Sequence, residues 1–327
     1  MRYRRLGRLD WQVSEIGYGM WGIGGGPGGF TGWDYDTAPD CLAEALDLGC
    51  TFFDTAWVYG RGVSEQLLGR LIRDHPGRRL RVATKIPPKN REWPPRPGDT
   101  LDEVFPADHV REYTEKSLEN LGVDRIDLLQ FHVWEDRWAA DDRWQTVMSE
   151  LKAEGLVEGI GISVNRWEPA NCLRAIDSGL IDVIQVIYNI FDQAPEDELF
   201  DYAQRADVGI IARVPFDEGG LTGKLTDETT FPEEDWRSIY FGPENLGPTV
   251  ERAGRLAAAL PAGMSMPEAS LRFILHHPAV ATVIPGMRRI EHVRANFGVS
   301  DGQPIDPALL ALLREHRWDR KPTVWSM

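Results

Sequence analysis

Short apolar runs alternate along this chain with longer segments that have the period of an α-helix. Most of the runs lack the polar–apolar alternation of a half-exposed strand, which is typical of parallel strands covered on both faces. They predict eight buried strands: Ser14–Met20, Thr51–Phe53, Arg81–Thr84, Ile126–Phe131, Leu156–Ile162, Val183–Ile187, Val208–Ala212 and Val280–Ile284.

The segments between these runs predict helices, because their apolar residues recur every three to four positions. Ser64, which precedes Glu65, and Pro169 are typical of helix starts. The predicted helices are Pro39–Leu48, Ser64–Asp74, Ala107–Leu121, Arg143–Ala153, Glu168–Ser178, Glu196–Arg205 and Pro267–His276.

Eight strand–helix alternations with no break in composition favour a single (β/α)8 barrel domain over residues 1–327. A doubly wound sheet is the alternative. It would carry a GxGxxG motif after the first strand, at the start of a helix. Gly22–Gly26 is rich in glycine, but no helical pattern directly follows it, so this signal is weak.

Three further segments fit a barrel. Two extended stretches flank Gly7-Arg8-Leu9-Asp10 and predict an N-terminal β-hairpin. Pro87–Pro106 follows the third predicted strand and Asp217–Gly247 the seventh, and both are poor in helix or strand pattern. In a barrel they would be long loops over the carboxyl ends of the strands, where ligands bind.

Composition and charge narrow the function. The formal net charge of −15 argues against nucleic acid as the main partner, although a local basic cluster can still hold a small anion. The chain contains no run of about 18 apolar residues, so the sequence predicts no membrane span. The cysteines, Cys41, Cys50 and Cys172, have no metal-ligand spacing, and no signal peptide precedes them, so we expect reduced thiols in a cytoplasmic protein.

Polar residues close or follow most of the predicted strands, and a barrel would bring them to one rim. Taken singly, each is commonly a turn, cap or hydrogen-bonded structural residue. That explanation is strained for the whole set, because unpaired buried charges are destabilising. In chain order the residues are Asp54, Lys85, His132, Ser163, Gln185 and Arg213.

Asp54, Tyr59, Lys85 and His132 together fit a device for proton transfer. A phenol has an ordinary pKa of about 10 and is a weak acid, but a neighbouring lysine cation lowers that pKa. Asp54 would hold Lys85, and His132 would orient a carbonyl group. Such a set supplies no hydride, so a redox cofactor must provide it.

Seven motifs spread over nearly the whole chain resemble those of the aldo-keto reductases: FFDTAWVYG, VATK, DLLQFHVW, GISVN, QVIYN, EGGLTGK and VIPGMRRIEHVRANF. The resemblance implies a (β/α)8 barrel closed at its floor by a hairpin. It implies reduction of an aldehyde or ketone by a nicotinamide cofactor. Tyr59 would be the general acid, Lys85 and Asp54 would tune it, and His132 would place the carbonyl.

The same resemblance implies a set of cofactor contacts. Ser163, Asn165 and Gln185 would hold the carboxamide, Gly219–Lys224 the pyrophosphate, and the segment from Gly286 the adenosine half. The full set is Met20, Trp21, Ser163, Asn165, Gln185, Arg213, Pro215, Gly219, Leu221, Gly223, Lys224, Ile284, Gly286, Arg288, His292 and Asn296.

Two positions depart from the family pattern. Arg213 stands where the family commonly has an aromatic residue stacked on the nicotinamide. Gly286-Met287 stands where many members have Lys-Ser, and Arg288 with Arg289 would serve instead as the clamp on a 2′-phosphate. The guanidinium fork matches phosphate oxygens, so we expect NADPH rather than NADH.

Aromatic residues near strand ends predict the substrate pocket: Trp21, Trp57, Trp134 and Phe216, with Trp93 and Tyr240 from the long loops. Such a pocket suits an apolar or aromatic aldehyde or ketone, or a sugar stacked on a ring. Two other functions stay open. One is a cofactor-sensing binding protein with slow or no turnover. The other is a Schiff-base aldolase using Lys85, whose pKa would have to be lowered although Asp54 would raise it.

Overall fold

The chain begins with the predicted hairpin. The computed structural model describes residues 1–25, 29–32 and 34–320. In it β1 (Tyr3–Leu6) pairs antiparallel with β2 (Trp11–Ser14) through a 3-10 turn at Gly7–Leu9. Leu6 and Trp11 are buried and pack with the first residues of several barrel strands. The hairpin therefore closes the floor of the barrel, and apolar burial holds it there.

Eight parallel strands follow within the described residues, and each pairs with its neighbour in chain order. They are β3 (Tyr18–Gly19), β4 (Phe52–Asp54), β5 (Arg81–Ile86), β6 (Ile126–Phe131), β7 (Val157–Ser163), β8 (Val183–Ile187), β9 (Gly209–Arg213) and β10 (Val280–Val283). The first run, Ser14–Met20, is divided between the end of β2 and β3. The predicted strands are otherwise confirmed to within two residues.

The two outer strands meet and close the sheet into a barrel. The amide of Gly17 donates to the carbonyl of Val283 at 2.8 Å, and the amide of Gly19 donates to the carbonyl of Pro285 at 3.0 Å. Parallel bridges join Ile16 to Val283 and Gly19 to Gly286. The predicted (β/α)8 fold is therefore confirmed, and the doubly wound alternative is wrong.

Helices surround the barrel. Along the described chain they are α1 (Trp21–Gly24), α2 (Ala38–Asp47), α3 (Val63–Asp74), α4 (Leu101–Val104), α5 (Ala107–Leu121), α6 (Asp142–Ala153), α7 (Leu173–Asp177), α8 (Leu199–Arg205), α9 (Trp236–Tyr240), α10 (Leu246–Ala259), α11 (Met266–His276), α12 (Ile290–Gly298) and α13 (Pro307–Arg314). Further 3-10 turns lie at Asp136–Ala140, Ala194–Glu196 and Asp217–Thr222. Five predicted helices correspond closely to α2, α3, α5, α6 and α11.

The remaining helix predictions were less accurate. Glu168–Ser178 is helical only from Leu173, because the side chain of Asn165 accepts the amides of Trp167 and Glu168, both at 3.0 Å, and folds the preceding residues into a turn. The predicted start of α3 at Ser64 is one residue late, because the helix begins at Val63 and Ser64 lies in its first turn without capping it. Its hydroxyl lies 2.7 Å from Thr55 Oγ1, and Gly62 occupies the N-cap.

Two negative findings apply to the described parts of the chain. No helix there is long and apolar enough to cross a membrane. No group of three or more histidine, cysteine, aspartate or glutamate residues there could hold a metal ion. The three cysteines, all within these parts, are buried free thiols, as predicted.

Candidate active site

A cavity of about 790 Å³ opens at the carboxyl ends of the barrel strands. Its wall combines residues from β4, β5, β6, β7 and β9 or the loops that follow them: Tyr59, Lys85, His132, Ser163, Asn165 and Arg213. Of the six strand-end residues predicted to share one rim, Lys85, His132, Ser163 and Arg213 line this cavity, because parallel strands end on the same side of a barrel. Asp54 and Gln185, the other two, are buried and are not part of the cavity wall.

Lys85 is the centre of the hydrogen-bonding network at the bottom of this cavity. Asp54 pairs with Ala83 across β4 and β5, so Lys85, two residues further along β5, points to the same face. Its Nζ donates to Asp54 Oδ1 at 2.7 Å, to the carbonyl of Thr55 at 2.7 Å and to the hydroxyl of Tyr59 at 3.4 Å. All three ammonium donors are thus used, which argues against a Lys85 free to attack a carbonyl.

Tyr59 reaches Lys85 through a tight turn after β4. A side chain at Gly60, which has φ of 66°, would meet the carbonyl oxygen of Gly24 at 1.9 Å. A side chain at Gly24 would meet Cβ of Tyr59 at 2.8 Å. Because both residues are glycines, the turn can pack closely against α1. The tyrosine ring then lies 6.3 Å from the ring of Trp21 and 5.8 Å from that of His132.

Burial raises the pKa of Tyr59, and the negative charge of Asp54 adds to that rise, while Arg213 opposes it. This direction is opposite to the sequence-based expectation, which considered Lys85 and not the removal of the phenol from water. Burial also lowers the pKa of Lys85, more than the attraction of Asp54 raises it. Tyr59 therefore keeps its proton throughout the neutral pH range and can act as a proton donor.

The surroundings of His132 favour its neutral imidazole form. Burial, and next the positive charges of Lys85 and Arg213, hold the pKa of His132 well below its ordinary value. Its Nδ1 is buried without a hydrogen-bond partner among the described residues. The ring meets Tyr59 and Trp93 edge-on, with centroids 5.8 and 5.9 Å away. A neutral ring so placed can offer one hydrogen bond to a ligand beside Tyr59.

The residues expected to hold an amide lie on adjacent strands. Ser163, at the end of β7, is in register with Gln185 of β8. Gln185 Oε1 is buried and lacks a hydrogen-bond partner in the described part of the molecule. Asn165 lines the cavity, although its side-chain oxygen here caps the turn before α7. An unsatisfied buried acceptor is destabilising, although Gln185 is 1% exposed and lies behind Ser163 rather than on the cavity wall.

Arg213 ends β9, and its side chain is fixed in place. Its Nη2 donates to the carbonyl of Val164 at 3.0 Å, while Nε is buried without a partner in the described structure. Burial lowers the pKa of Arg213, and the nearby Tyr59 and Glu218 act in the opposite direction. A cation tied to the loop after β7 therefore lies on the cavity wall, at the position that departs from the resemblance described above.

The predicted adenosine segment lies beside the first barrel strand. Gly286 bridges Gly19, and Nη1 of Arg288 donates to the carbonyl of Thr31 at 2.5 Å. Met20 and Leu221 are fully buried, Ile284 and Asn296 nearly so, and His292 is half-buried. Pro215 accepts from Ser270 Oγ at 2.6 Å, and Gly219 and Gly223 have positive φ, while Lys224 is exposed.

The aromatic residues divide into two groups. Trp21, Trp57, Trp93 and Tyr240 line the cavity as predicted. Trp134 does not, because it is 1% exposed and its ring packs against those of Phe131, Trp138 and Trp144. Phe216 also lies off the cavity wall and packs half-buried against the core. Neither Trp134 nor Phe216 forms part of the cavity.

A buried ionic cluster, missed in the sequence, holds the loop after β9. Asp217 accepts from Arg320 at 2.9 Å and from the hydroxyl of Tyr240 at 2.5 Å, and Arg320 also donates to Asp192 at 2.8 Å. Arg166, on the cavity wall, donates to Asp217 at 3.4 Å. The cluster joins loops after β7, β8 and β9 to the C-terminal part of the chain.

Glu218 is a second residue that the sequence analysis missed. It lines the cavity, and its backbone is left-handed, with φ of 55°, like those of Val214 and Asp217 nearby. Such conformations are strained for residues other than glycine. Burial raises the pKa of Glu218 to about 7, although the positive charge of Arg166 opposes that rise. Its position beside the glycines of EGGLTGK was the available signal.

Glu218→Gln should stabilise the protein at alkaline pH and leave it unchanged in acid. Between the ordinary pKa of 4.5 and about 7, the folded protein holds a proton that the unfolded chain has lost, so stability falls as pH rises through that window. We expect a gain of roughly 1–3 kcal/mol in unfolding free energy at pH 8, and little at pH 4.5. Urea unfolding at both pH values measures it, with the exposed Glu234→Gln as control. Equal effects at both pH values would contradict this assignment.

Comparison with known proteins gives a consistent result. Residues 15–317 match the model of the Aldo/keto reductase family. Aldo-keto reductase YhdN of Bacillus subtilis is 31% identical over 298 residues, which cover 88% of this chain and 86% of that protein. The NADH-specific methylglyoxal reductase of Escherichia coli is 28% identical over 311 residues, covering 89% and 91%.

Solved structures agree with this similarity. The holo form of aldo-keto reductase AKR11C1 from Bacillus halodurans superposes with a TM-score of 0.76 at 26% identity, covering 98% of this chain and 97% of that one. Glycerol dehydrogenase AKR11B4 from Gluconobacter oxydans gives a TM-score of 0.75 at 26% identity, covering 96% and 94%.

Proposed function

The chain belongs to the aldo/keto reductase family of oxidoreductases, and from this membership we propose that it is an NADPH-dependent enzyme that reduces an aldehyde or ketone to an alcohol, with Tyr59 as general acid. One observation carries the proposal. The hydroxyl of Tyr59 lies 3.4 Å from Nζ of Lys85, which is bound to Asp54, and both Tyr59 and Lys85 line one cavity. A protonated donor thus faces a space of substrate size.

The polar groups fit a nicotinamide cofactor. Ser163 and Asn165, on the cavity wall, would hold its carboxamide, and the unpartnered Oε1 of the neighbouring Gln185 would accept from the same group. Gly219–Lys224, in the loop after β9 and next to Glu218 of the cavity wall, would lie along the pyrophosphate. When bound, this cofactor supplies the hydride to the carbonyl carbon. The residues of the chain bind, orient and move the proton.

The proton transfer follows from the contacts of Tyr59. As the carbonyl carbon gains the hydride, its oxygen becomes negative and takes the phenolic proton of Tyr59. The phenolate left behind lies beside the cation of Lys85, which stabilises it. The neutral His132 would donate a hydrogen bond to the same oxygen and fix its position. Asp54 keeps Lys85 in place throughout.

Arg288→Ala should weaken NADPH binding far more than NADH binding. Arg288 uses one donor on Thr31, so other donors of its guanidinium are available for a 2′-phosphate. A charge-assisted hydrogen bond contributes about 1.5–3 kcal/mol, so we expect the Kd of NADPH to rise roughly tenfold to a hundredfold. Fluorescence titration measures both constants.

Arg294→Ala is the matched control for this test, because Arg294 lies on α12 and pairs at the surface with Glu44 at 2.7 Å. It should leave both dissociation constants unchanged. If Arg288→Ala weakens NADPH and NADH alike, Arg288 is not the phosphate clamp. NADPH preference would then rest on another residue.

The experiment that tests the function itself is a titration with NADPH and NADH, followed by a panel of small aldehydes and ketones. Twelve tryptophans, of which Trp21 and Trp57 line the cavity, give a fluorescence signal. Tight NADPH binding and its oxidation on adding a carbonyl would support the reductase. Tight binding without turnover of any carbonyl would favour a cofactor-sensing protein. Failure to bind either nucleotide would reject the proposal.

A further inference from the structure

Three of the basic side chains at the cavity are exposed and have no acidic partner among the described residues: Arg61, Lys89 and Arg91. The buried cations of the same wall have fixed partners, since Lys85 binds Asp54, Arg166 binds Asp217, and Arg213 donates to the carbonyl of Val164. The acidic Glu112 on this wall is already bound to Lys116 at 2.5 Å. This part of the cavity is therefore locally cationic in a chain whose net charge is −15.

The position of these cations separates them from the proposed pyrophosphate loop. Arg61 lies on the loop after β4, and Lys89 and Arg91 lie on the loop after β5. In this closed barrel of eight strands, β5 and β9 are four strands apart and therefore lie on opposite sides. The loop Gly219–Lys224 follows β9. The three cations are thus available to something other than the phosphates of the cofactor.

The backbone at two of them adds an independent observation. Arg61 has φ of 54° and Arg91 has φ of 59°. Glycine adopts this left-handed region without steric penalty, whereas long side chains seldom occupy it. The two neighbours of Arg61, Gly60 and Gly62, are glycines in the same region. Strained residues cluster at ligand sites, so the presence of arginine at both positions points to a use for the charge.

We propose that Arg61, Lys89 and Arg91 bind an anionic group, a carboxylate or a phosphate, on the carbonyl substrate whose reactive end reaches Tyr59. This inference rests on the proposed function. Trp57, Trp93 and Tyr113 line the same cavity, so an apolar or aryl body suits the space between the two ends. The negative field of the whole chain repels anions, and a local basic cluster overcomes that repulsion.

Matched substrate pairs test the inference in the intact protein. Each pair has one carbonyl group and differs in one charge: ω-oxo carboxylates of increasing length against the neutral aldehydes, 4-carboxybenzaldehyde against 4-methylbenzaldehyde, and glyceraldehyde 3-phosphate against glyceraldehyde. We expect the anionic member of at least one pair to have a kcat/KM about tenfold higher. The preference should decline as salt is raised, since exposed charges are screened. The carboxylate and phosphate arms distinguish the two anions.

The triple variant Arg61→Gln/Lys89→Gln/Arg91→Gln should lower that preference about tenfold, mainly through KM, because each exposed charge contributes roughly twofold to fivefold. Its kcat/KM for the neutral members should stay within about twofold, which also shows that it folds. Arg79→Gln is the control, because exposed Arg79 precedes β5 at the opposite end of the barrel. It should leave kcat/KM unchanged for both the anionic and the neutral member of each pair.

Two results would overturn the inference, and they differ from each other. If the enzyme reduces charged and neutral members equally well, and the triple variant behaves like the parent, the anion site is wrong while the reductase stands. If no aldehyde of any pair is reduced although NADPH binds, the proposed function fails and the anion site fails with it.

Discussion

Tyr59→Phe should lower kcat for carbonyl reduction by roughly a hundredfold to ten-thousandfold, and leave the Kd of NADPH within about threefold. General acid catalysis contributes roughly a hundredfold to ten-thousandfold. No other hydroxyl of the described cavity wall is hydrogen-bonded to Nζ of Lys85. Phenylalanine keeps the ring that packs near Trp21 and His132, so the shape of the cavity is retained. Single-turnover reduction and nucleotide titration measure the two quantities.

Tyr113→Phe is the matched control. Tyr113 lines the same cavity, and its ring meets Trp57 edge-on at 4.7 Å. Loss of its hydroxyl should leave kcat within about threefold. Equal loss of turnover and NADPH binding in Tyr59→Phe would reject the general-acid role, because it would show a structural rather than a chemical contribution.

Asp54→Asn should destabilise the fold strongly as well as slow the reaction. Asp54 and Lys85 form an ion pair of 2.7 Å in which the two side chains are 3% and 1% exposed. Removing one partner of a buried pair leaves an unpaired buried charge, and such changes lower the unfolding free energy by about 3–5 kcal/mol. Urea unfolding followed by tryptophan fluorescence measures the loss.

A second variant separates the charge from the packing. Asp54→Asn/Lys85→Met removes both charges, so it should recover a large part of the stability that Asp54→Asn loses. Glu251→Gln, which breaks the exposed pair with Arg255, should change stability by less than about 1 kcal/mol. If the double variant is no more stable than Asp54→Asn, the unpaired lysine is not the cause.

The sequence predicted the barrel well because buried parallel strands are continuous apolar runs. The secondary structure of segments rich in charge or proline was harder to predict. Helices α10, α12 and α13 were not predicted, although Leu256, Val293 and Leu313 are buried on their inner faces. In α10 and α12 the apolar residues are spread among alanine, glycine, arginine and glutamate, whereas α13, PALLALLR, is apolar enough to have been recognised. The long segment Asp217–Gly247 looked structureless, yet it contains a 3-10 turn and α9.

The chemistry of the site was predictable where it depends on strand ends. Asp54, Lys85 and His132 each end or follow a strand, and the fold alone brings them together. Trp134 looked equivalent, but the chain turns after His132 and buries that ring in the core. The direction of the pKa of Tyr59 was missed because burial is a property of the folded surroundings. The cluster of Asp217 and Arg320 was missed because these residues are 103 positions apart.

The barrel is completed by strands from opposite ends of the chain. Arg4, in the hairpin, donates to the carbonyls of Leu275 at 2.5 Å and Val280 at 2.9 Å, the latter 276 positions away. During synthesis the outer edge of β3, the first barrel strand, has no partner strand until β10 has been made. Unpaired edges invite pairing with other chains, and contacts this distant in sequence slow folding. The open edge of the first barrel strand is therefore the part of the incomplete chain most exposed to pairing with other chains.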